Sequence, residues 1–338
     1  MKITVFGSGA WGTAVALVLN DNGHAVTLWS KFEEEVNTLR STRENPLLRG
    51  VAIPNEIEIT TNIDAAAAGV QAIVVAVPSF AVRETVKALQ GKLSSDCVII
   101  CVSKGIEKDT SSLFTSIIEE SFGEKASIAS VSGPTHAEEV ALRIPSACVA
   151  ASKDIKVAQR VQELLMNEYF RVYTSTDVVG VELGAALKNV IALSAGVCDG
   201  LGFGDNTIAM LMTRGLAEMA RLCVAMGGHK ETLAGLAGLG DLIVTCGSRH
   251  SRNRRAGVLI GKGMSADEAM REVGAVVEGY YAANAARELS EKMGVHMPIC
   301  LEAYNVLYND KNPLAALNDL MSRSGKHEHA TGDEDWVI

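Results

Sequence analysis

From Lys2 to about residue 175, short runs rich in Val, Ile and Ala alternate with longer stretches whose apolar positions recur at helical spacing. Short continuous apolar runs suit strands covered on both faces of a parallel sheet, and the stretches between them are long enough to be helical crossovers. The pattern predicts strands at Lys2–Phe6, Ala25–Trp29, Ile57–Thr60, Ala72–Val77, Val98–Val102, Ser127–Val131 and Ala147–Ala150. It also predicts a helix within Ser79–Leu93 and a short closing edge strand at Arg171–Thr174, the last strands departing from strict alternation. Repeated crossovers of this kind build a doubly wound α/β domain.

Beyond that point the texture changes, because no proline occurs from Ser146 through Met297. A helix is predicted from an N-cap at Thr176 or Asp177 through Leu193, and a second over Leu211–Met226. The reading is therefore α/β plus all-α: residues 1–176 as a doubly wound domain, 177–324 as a helical domain, and 325–338, charged and aperiodic, as a mobile tail.

Composition narrows the function. With 48% hydrophobic and 21% charged residues the 338-residue chain has enough apolar side chain for a folded core, which excludes a disordered protein. Its formal charge of −9 argues against general attraction to nucleic acid or an anionic membrane, so any anion site must be local. Consecutive apolar residues stop well short of the roughly 18 a membrane span needs, and Met1–Val5 lacks the features of a signal peptide, which places the chain in the cytoplasm. The seven cysteines are odd in number and form no Cys-x-x-Cys, so they read as buried reduced thiols, and the histidines form no metal-binding spacing.

Gly7-Ser8-Gly9-Ala10-Trp11-Gly12 follows the first predicted strand and opens a helix. In that context Gly-x-Gly-x-x-Gly marks a dinucleotide site: Gly7 for the tight turn, Gly9 for close approach of a pyrophosphate, Gly12 for helix packing on the strand. The second strand ends Leu28-Trp29-Ser30-Lys31 without the acid that normally takes the ribose 2′-hydroxyl. Ser30 and Lys31 lean toward NADPH or dual use with NADH, against which stand Glu33, Glu34 and Glu35.

A dinucleotide fold does not name a reaction, so the chemistry must come from side chains near the strand ends and in the helical domain. Ser103-Lys104-Gly105 and Ser132-Gly133-Pro134-Thr135-His136-Ala137 follow neighbouring strands on the ligand side of the sheet. Lys188 lies on a helix whose Gly180, Gly184, Ala192 and Gly196 are spaced by fours, which predicts close approach of another group beside it. A partly desolvated lysine can exchange a proton with an alcohol and its ketone, its pKa lowered toward roughly 7–8. Asp241 sits in the glycine-rich Gly238–Thr245, and Arg249–Arg255 holds four arginines in an acidic chain, read as a loop that closes on a phosphate. Gly261-Lys262-Gly263 lacks the earlier glycine of a nucleotide-triphosphate loop and is set aside.

Taken in order, Gly-x-Gly-x-Trp-Gly-Thr at Gly7–Thr13, Val-Pro-Ser at 77–79, Ser-Lys-Gly at 103–105, Ser-Gly-Pro-Thr at 132–135, Leu-Lys-Asn at 187–189, Gly-Asp-Leu at 240–242, Ser-Arg-Asn at 251–253 and Val-Val-Glu-Gly at 276–279 resemble the bacterial NAD(P)-dependent glycerol-3-phosphate dehydrogenases over nearly the whole chain. The resemblance implies an N-terminal Rossmann-like domain and a helical substrate domain. It also implies a homodimer that reduces dihydroxyacetone phosphate to sn-glycerol 3-phosphate for phospholipid synthesis.

Carried over by position, the resemblance makes Lys188 the proton-transfer group, Asp241 its orienting carboxylate and substrate contact, and Lys104 a donor to the substrate oxygen near the nicotinamide. Gly133 and Thr135 would line the substrate, while Ser251, Arg252 and Asn253 would hold its phosphate. Gly7, Gly9, Trp11, Gly12, Lys31, Lys104, Ala137, Arg252, Val276 and Glu278 match cofactor-contacting positions, and Ala10 departs from members that carry serine there. Two rivals are a hydroxyacid or ketopantoate-type reductase, which would bind a carboxylate, and a dinucleotide-sensing protein without turnover, which would not need Lys188 and Asp241 together.

Overall fold

In the computed structural model of the chain, which describes residues 1–325, 327 and 328, the apolar runs of the first half become eight strands of one sheet. They are β1 (Lys2–Phe6), β2 (Ala25–Trp29), β3 (Glu58–Thr60), β4 (Ala72–Val75), β5 (Val98–Cys101), β6 (Ser127–Ser132), β7 (Ser146–Ala151) and β8 (Phe170–Ser175), in the spatial order β3-β2-β1-β4-β5-β6-β7-β8. All neighbours are parallel except β6 and β7, and β3 and β8 are the edge strands. The strand order reverses at β1, so the carboxyl ends of β1 and β4 flank the place where such sheets take their ligands.

The intervening segments form α1 (Ala10–Asp21), α2 (Glu33–Thr42), α3 (Ile63–Ala67), α4 (Val82–Ala88), α5 (Phe114–Phe122), α6 (Ala137–Ala141) and α7 (Ile155–Leu165). Alternate residues of one strand enter different cores: Ile3 and Val5 pack with α1, whereas Phe6 packs with Ile73 and Val75 and with Val82 and Val86 of α4. Both faces of the sheet are thus dry at its centre, which is why β4 and β5 read as unbroken apolar runs, whereas β8 at the edge leaves Arg171 and Tyr173 exposed. β4 ends two residues earlier than expected. Ala76 still donates to Phe6 O, after which Pro78 turns the chain into one turn of 3₁₀ helix, Ser79–Ala81, ahead of α4.

The chain divides into two compact units, residues 1–104 with 112–181, and 105–111 with 182 onward. The described part of the second unit is helical: α8 (Val178–Gly200, whose first turn contains the division), α9 (Asp205–Ala225), α10 (Lys230–Leu233), α11 (Asp241–Gly247), α12 (Arg252–Gly261), α13 (Ala266–Val273), α14 (Glu278–Met293), α15 (Pro298–Tyr308) and α16 (Pro313–Met321). Asp177 caps α8, its Oδ1 accepting from Gly180 N at 2.9 Å. α8 is long and apolar enough on average to cross a membrane, a case that counting consecutive apolar residues passes over, but 89% of its most apolar window is buried inside the protein. The tail expected at 325–338 lies almost wholly outside the described residues.

The small residues of α8 do admit a close neighbour, and that neighbour is another helix. A Cβ on Gly196 would stand 2.1 Å from Arg254 O, and one on Gly257 2.0 Å from Leu193 O, so α8 and α12 touch backbone to backbone. Gly184 is similarly closed by Ala237 O. All seven cysteines are free and buried.

Candidate active site

The glycine turn separates into two glycines that the protein requires and one that it does not. Gly7 adopts φ +120°, and a Cβ there would lie 2.5 Å from Ala76 O at the end of β4. A Cβ on Gly12 would lie 1.9 Å from Gly7 O. Gly9 has an ordinary extended φ of −64°, and a Cβ there would meet no atom of the described residues within 4 Å. Its bare backbone, at the N-cap of α1, is explained by a ligand that must come close, as a pyrophosphate does at a helix N-terminus. Beside it the Trp11 Nε1 is buried and has no hydrogen-bond partner among the described residues. These residues fit a bound dinucleotide.

Asn45, which the sequence did not single out, and Glu35, read there only as an acid near the second strand, hold this turn in shape. Asn45, buried, donates from Nδ2 to Ser8 O at 2.9 Å and to Thr13 Oγ1 at 2.7 Å, tying the turn to the start of α1. The Glu35 carboxylate accepts from Ser8 Oγ and from Ser30 Oγ. Neither was visible as a motif, since each acts across more than 25 residues on the glycine turn. Lys31 reaches Glu84 Oε1 at 2.7 Å, and both side chains are largely exposed.

At the ends of β5 and β6 the two small-residue turns meet. Ser103 Oγ donates to Val77 O at 2.6 Å, fixing the start of the Ser-Lys-Gly turn. Half-buried Lys104 donates from Nζ to Gly133 O at 3.0 Å, and Thr135 Oγ1 donates to the same carbonyl at 3.2 Å. Gly133 is a glycine because β7 passes against it, a Cβ there lying 2.7 Å from Cys148 Cα. Ala137 opens α6 directly behind.

In the second unit Lys188, on α8 and 5% exposed, donates from Nζ to Asp241 Oδ1 at 2.5 Å and to Thr245 Oγ1 at 2.9 Å. Asp241 is the first residue of α11, delivered there by a π-turn over Leu236–Gly240 in which Gly238 presses on the Leu233 backbone. Such π-turns recur at functional positions. Thr245 is one helical turn beyond Asp241 and donates to its carbonyl at 2.6 Å, which aims the hydroxyl lone pairs at Lys188. A buried ammonium and a buried carboxylate are tolerable only together and hydrogen-bonded, as they are here. Burial pushes the neighbouring Cys246 thiol up to about 12, so it stays a neutral wall at working pH.

The basic segment is part loop and part helix, which corrects the expectation of a loop throughout. Ser251 is the N-cap of α12, its Oγ accepting from Arg254 N at 3.2 Å, and Arg252 to Arg255 form the first turn. Arg252 is exposed, while Arg254 is committed to Asp199 at 2.7 Å. Asn253 is buried and braces three elements: its Nδ2 donates to Asn189 Oδ1 and its Oδ1 accepts from Gly279 N, each at 2.8 Å. Val276 and Glu278 flank the start of α14, both half-buried.

A doubly wound sheet with a ligand-ready glycine turn, joined in one chain to a helical unit that buries a lysine–carboxylate pair, defines a nicotinamide-dependent oxidoreductase of the two-domain kind. Sequence comparison is more specific: residues 2–158 match the model of the N-terminal part of NAD-dependent glycerol-3-phosphate dehydrogenase, and residues 177–318 that of its C-terminal part. The chain belongs to the NAD-dependent glycerol-3-phosphate dehydrogenase family. It is 50% identical to glycerol-3-phosphate dehydrogenase [NAD(P)+] of Thermoanaerobacter sp. over 97% of this chain and 99% of that one, and 48% identical to the enzyme of Fusobacterium nucleatum over 97% and 98%. The crystal structure of glycerol-3-phosphate dehydrogenase from Coxiella burnetii superposes with a TM-score of 0.92 at 36% identity, covering 95% of this chain and 99% of that one.

Proposed function

We propose that this chain catalyses the reversible reduction of dihydroxyacetone phosphate to sn-glycerol 3-phosphate, using NADH or NADPH, and so supplies glycerophospholipid synthesis. The observation that carries the chemical reading is the buried Lys188–Asp241–Thr245 cluster. The bound nicotinamide supplies or accepts the hydride. Lys188 moves the proton between its Nζ and the substrate oxygen. Asp241 and Thr245 accept from the ammonium and so fix its position and orientation. Lys104 donates to the substrate oxygen and stabilises charge that develops there. Its bond to Gly133 O sets its direction, with Thr135 bonded to the same carbonyl.

Ser251, Arg252 and Asn253 take the substrate phosphate: the exposed guanidinium of Arg252 supplies charge, and the capped N-terminus of α12 adds favourable backbone dipoles. Gly7, Gly9, Trp11, Gly12, Lys31, Lys104, Ala137, Arg252, Val276 and Glu278 contact the nucleotide. On this reading residues 1–176 bind the dinucleotide and 177–324 carry substrate and proton transfer. The family resemblance also supports a cytoplasmic homodimer, which light scattering on the purified chain tests.

The deciding experiment is the initial rate of NADH and NADPH oxidation against dihydroxyacetone phosphate and a panel of 2-keto and 3-keto acids. Turnover on the phosphate alone is expected. Turnover on a keto acid alone would reassign the chain to the hydroxyacid reductases, and nucleotide binding without turnover would make it a sensor.

A further inference from the structure

We propose that Glu35 reads the 2′ position of the adenosine ribose and biases this site toward NADH. The proposal rests on the nicotinamide reading above and deepens it. In a doubly wound fold an acid at the end of the second strand accepts from the ribose 2′-hydroxyl. Here that place is held by Ser30, directly after β2 ends at Trp29. The acid arrives from five residues further on. Ser30 Oγ donates to Glu35 Oε2 at 2.6 Å, and Ser8 Oγ, inside the glycine turn, donates to the same oxygen at 2.8 Å.

Ser30 Oγ itself accepts from Phe32 N at 3.3 Å, which commits its proton to Glu35. Both serines are buried, whereas Glu35 is exposed in the first turn of α2. The carboxylate therefore lies over the carboxyl ends of β1 and β2, anchored from below by two hydroxyls. Both anchors use Oε2, and among the described residues no hydrogen bond reaches Oε1, the oxygen offered to a ribose hydroxyl. A neutral 2′-hydroxyl can donate to it. A 2′-phosphate brings like charge to the same place, with Glu33 and Glu34 adding to the repulsion. Lys31, the cation that could offset this, is paired with Glu84.

The test is calorimetric titration of the full-length protein with NADH and with NADPH, for wild type, Glu35→Gln and Glu35→Ala. The glutamine keeps an oxygen for both serines and removes only the charge, and the alanine stands in for it should the glutamine repack. Both variants are expected to improve NADPH binding relative to NADH by about tenfold, a change of about 1.4 kcal/mol in the difference. Parallel changes in both affinities for both variants would overturn the assignment and leave Glu35 as a brace of the glycine turn. A wild type that binds neither nucleotide would overturn the nicotinamide reading and this proposal with it.

Discussion

Lys188 Nζ stands 2.5 Å from Asp241 Oδ1, with the two side chains only 7% and 2% exposed. The pair joins the long core helix α8 to the first residue of α11, so the group proposed to move a proton is also part of the internal framework. Neither charge can be removed without stranding the other in a dry place.

Replacing Lys188 by Met should lower turnover on dihydroxyacetone phosphate by roughly 10²–10⁴-fold, the usual worth of a positioned proton-transfer group. It should also destabilise the fold by about 3–5 kcal/mol, because the buried Asp241 carboxylate loses the Lys188 cation. The double variant Lys188→Met/Asp241→Leu should regain most of that stability and none of the activity. Urea melts read the first effect and stopped-flow rates the second; recovered activity in the double variant would remove Lys188 from the chemistry.

Arg252 is exposed and begins α12, so Arg252→Ala should leave the melting temperature nearly unchanged. Its kcat/KM should fall much more for dihydroxyacetone phosphate than for dihydroxyacetone, which lacks the phosphate. Equal losses on the two substrates would show that the basic segment does not hold the phosphate.

Gly9 and Gly12 should part company under the same substitution. Gly12→Ala drives a methyl to within 1.9 Å of Gly7 O and should destabilise by about 1–3 kcal/mol or more. Gly9→Ala meets no atom of the described residues within 4 Å, so it should melt like wild type while binding nucleotide more weakly. Melting curves with and without NADH distinguish the two, and an unaltered NADH affinity in Gly9→Ala would place the pyrophosphate elsewhere.

Glu218, buried on α9, accepts from the backbone N–H groups of Ile299 and Cys300 at the start of α15. Burial raises its pKa from 4.5 to about 7, against those hydrogen bonds and the nearby Arg221, which lower it. A carboxyl whose folded value is raised stays protonated in the native state while the unfolded chain ionises. Its contribution to stability is complete below pH 4.5 and is lost as pH rises to about 7. Glu218→Gln, which does not titrate, should show a smaller decline in stability between pH 4.5 and pH 7 than wild type. Identical declines in denaturant melts would mean that Glu218 is ionised throughout.

Much of the first unit was legible because both faces of its sheet are covered. A strand dry on both sides is mostly apolar, and β1 and β2 are marked to the residue in the chain although each buries one threonine, Thr4 and Thr27. The ends of β4 and β5 were less legible, because Val77 and Val102 are buried beyond the last paired residues, Val75 and Cys101, and carry the same apolar signal. The basic segment was misjudged for a related reason: arginines are equally at home in a loop and in the first turn of a helix, and only the Ser251 cap decides between them.

By itself the sequence determined what depends on local chemistry and short spacing: the two textures of the chain, the glycine turn, and the residue types able to move a proton or hold a phosphate. The tertiary structure decided what depends on neighbours distant along the chain. It put Thr245 on Lys188, brought Asn45 and Glu35 onto the glycine turn, and gave Asn253 to Asn189 and Gly279. It also showed that Gly196 of α8 admits the backbone of α12 and Gly184 that of Ala237, while Gly9 alone in its turn has no described atom beside the place of its Cβ. Hydrogen bonds and excluded volume act between atoms that folding brings together, and spacing along the chain does not encode which atoms those will be.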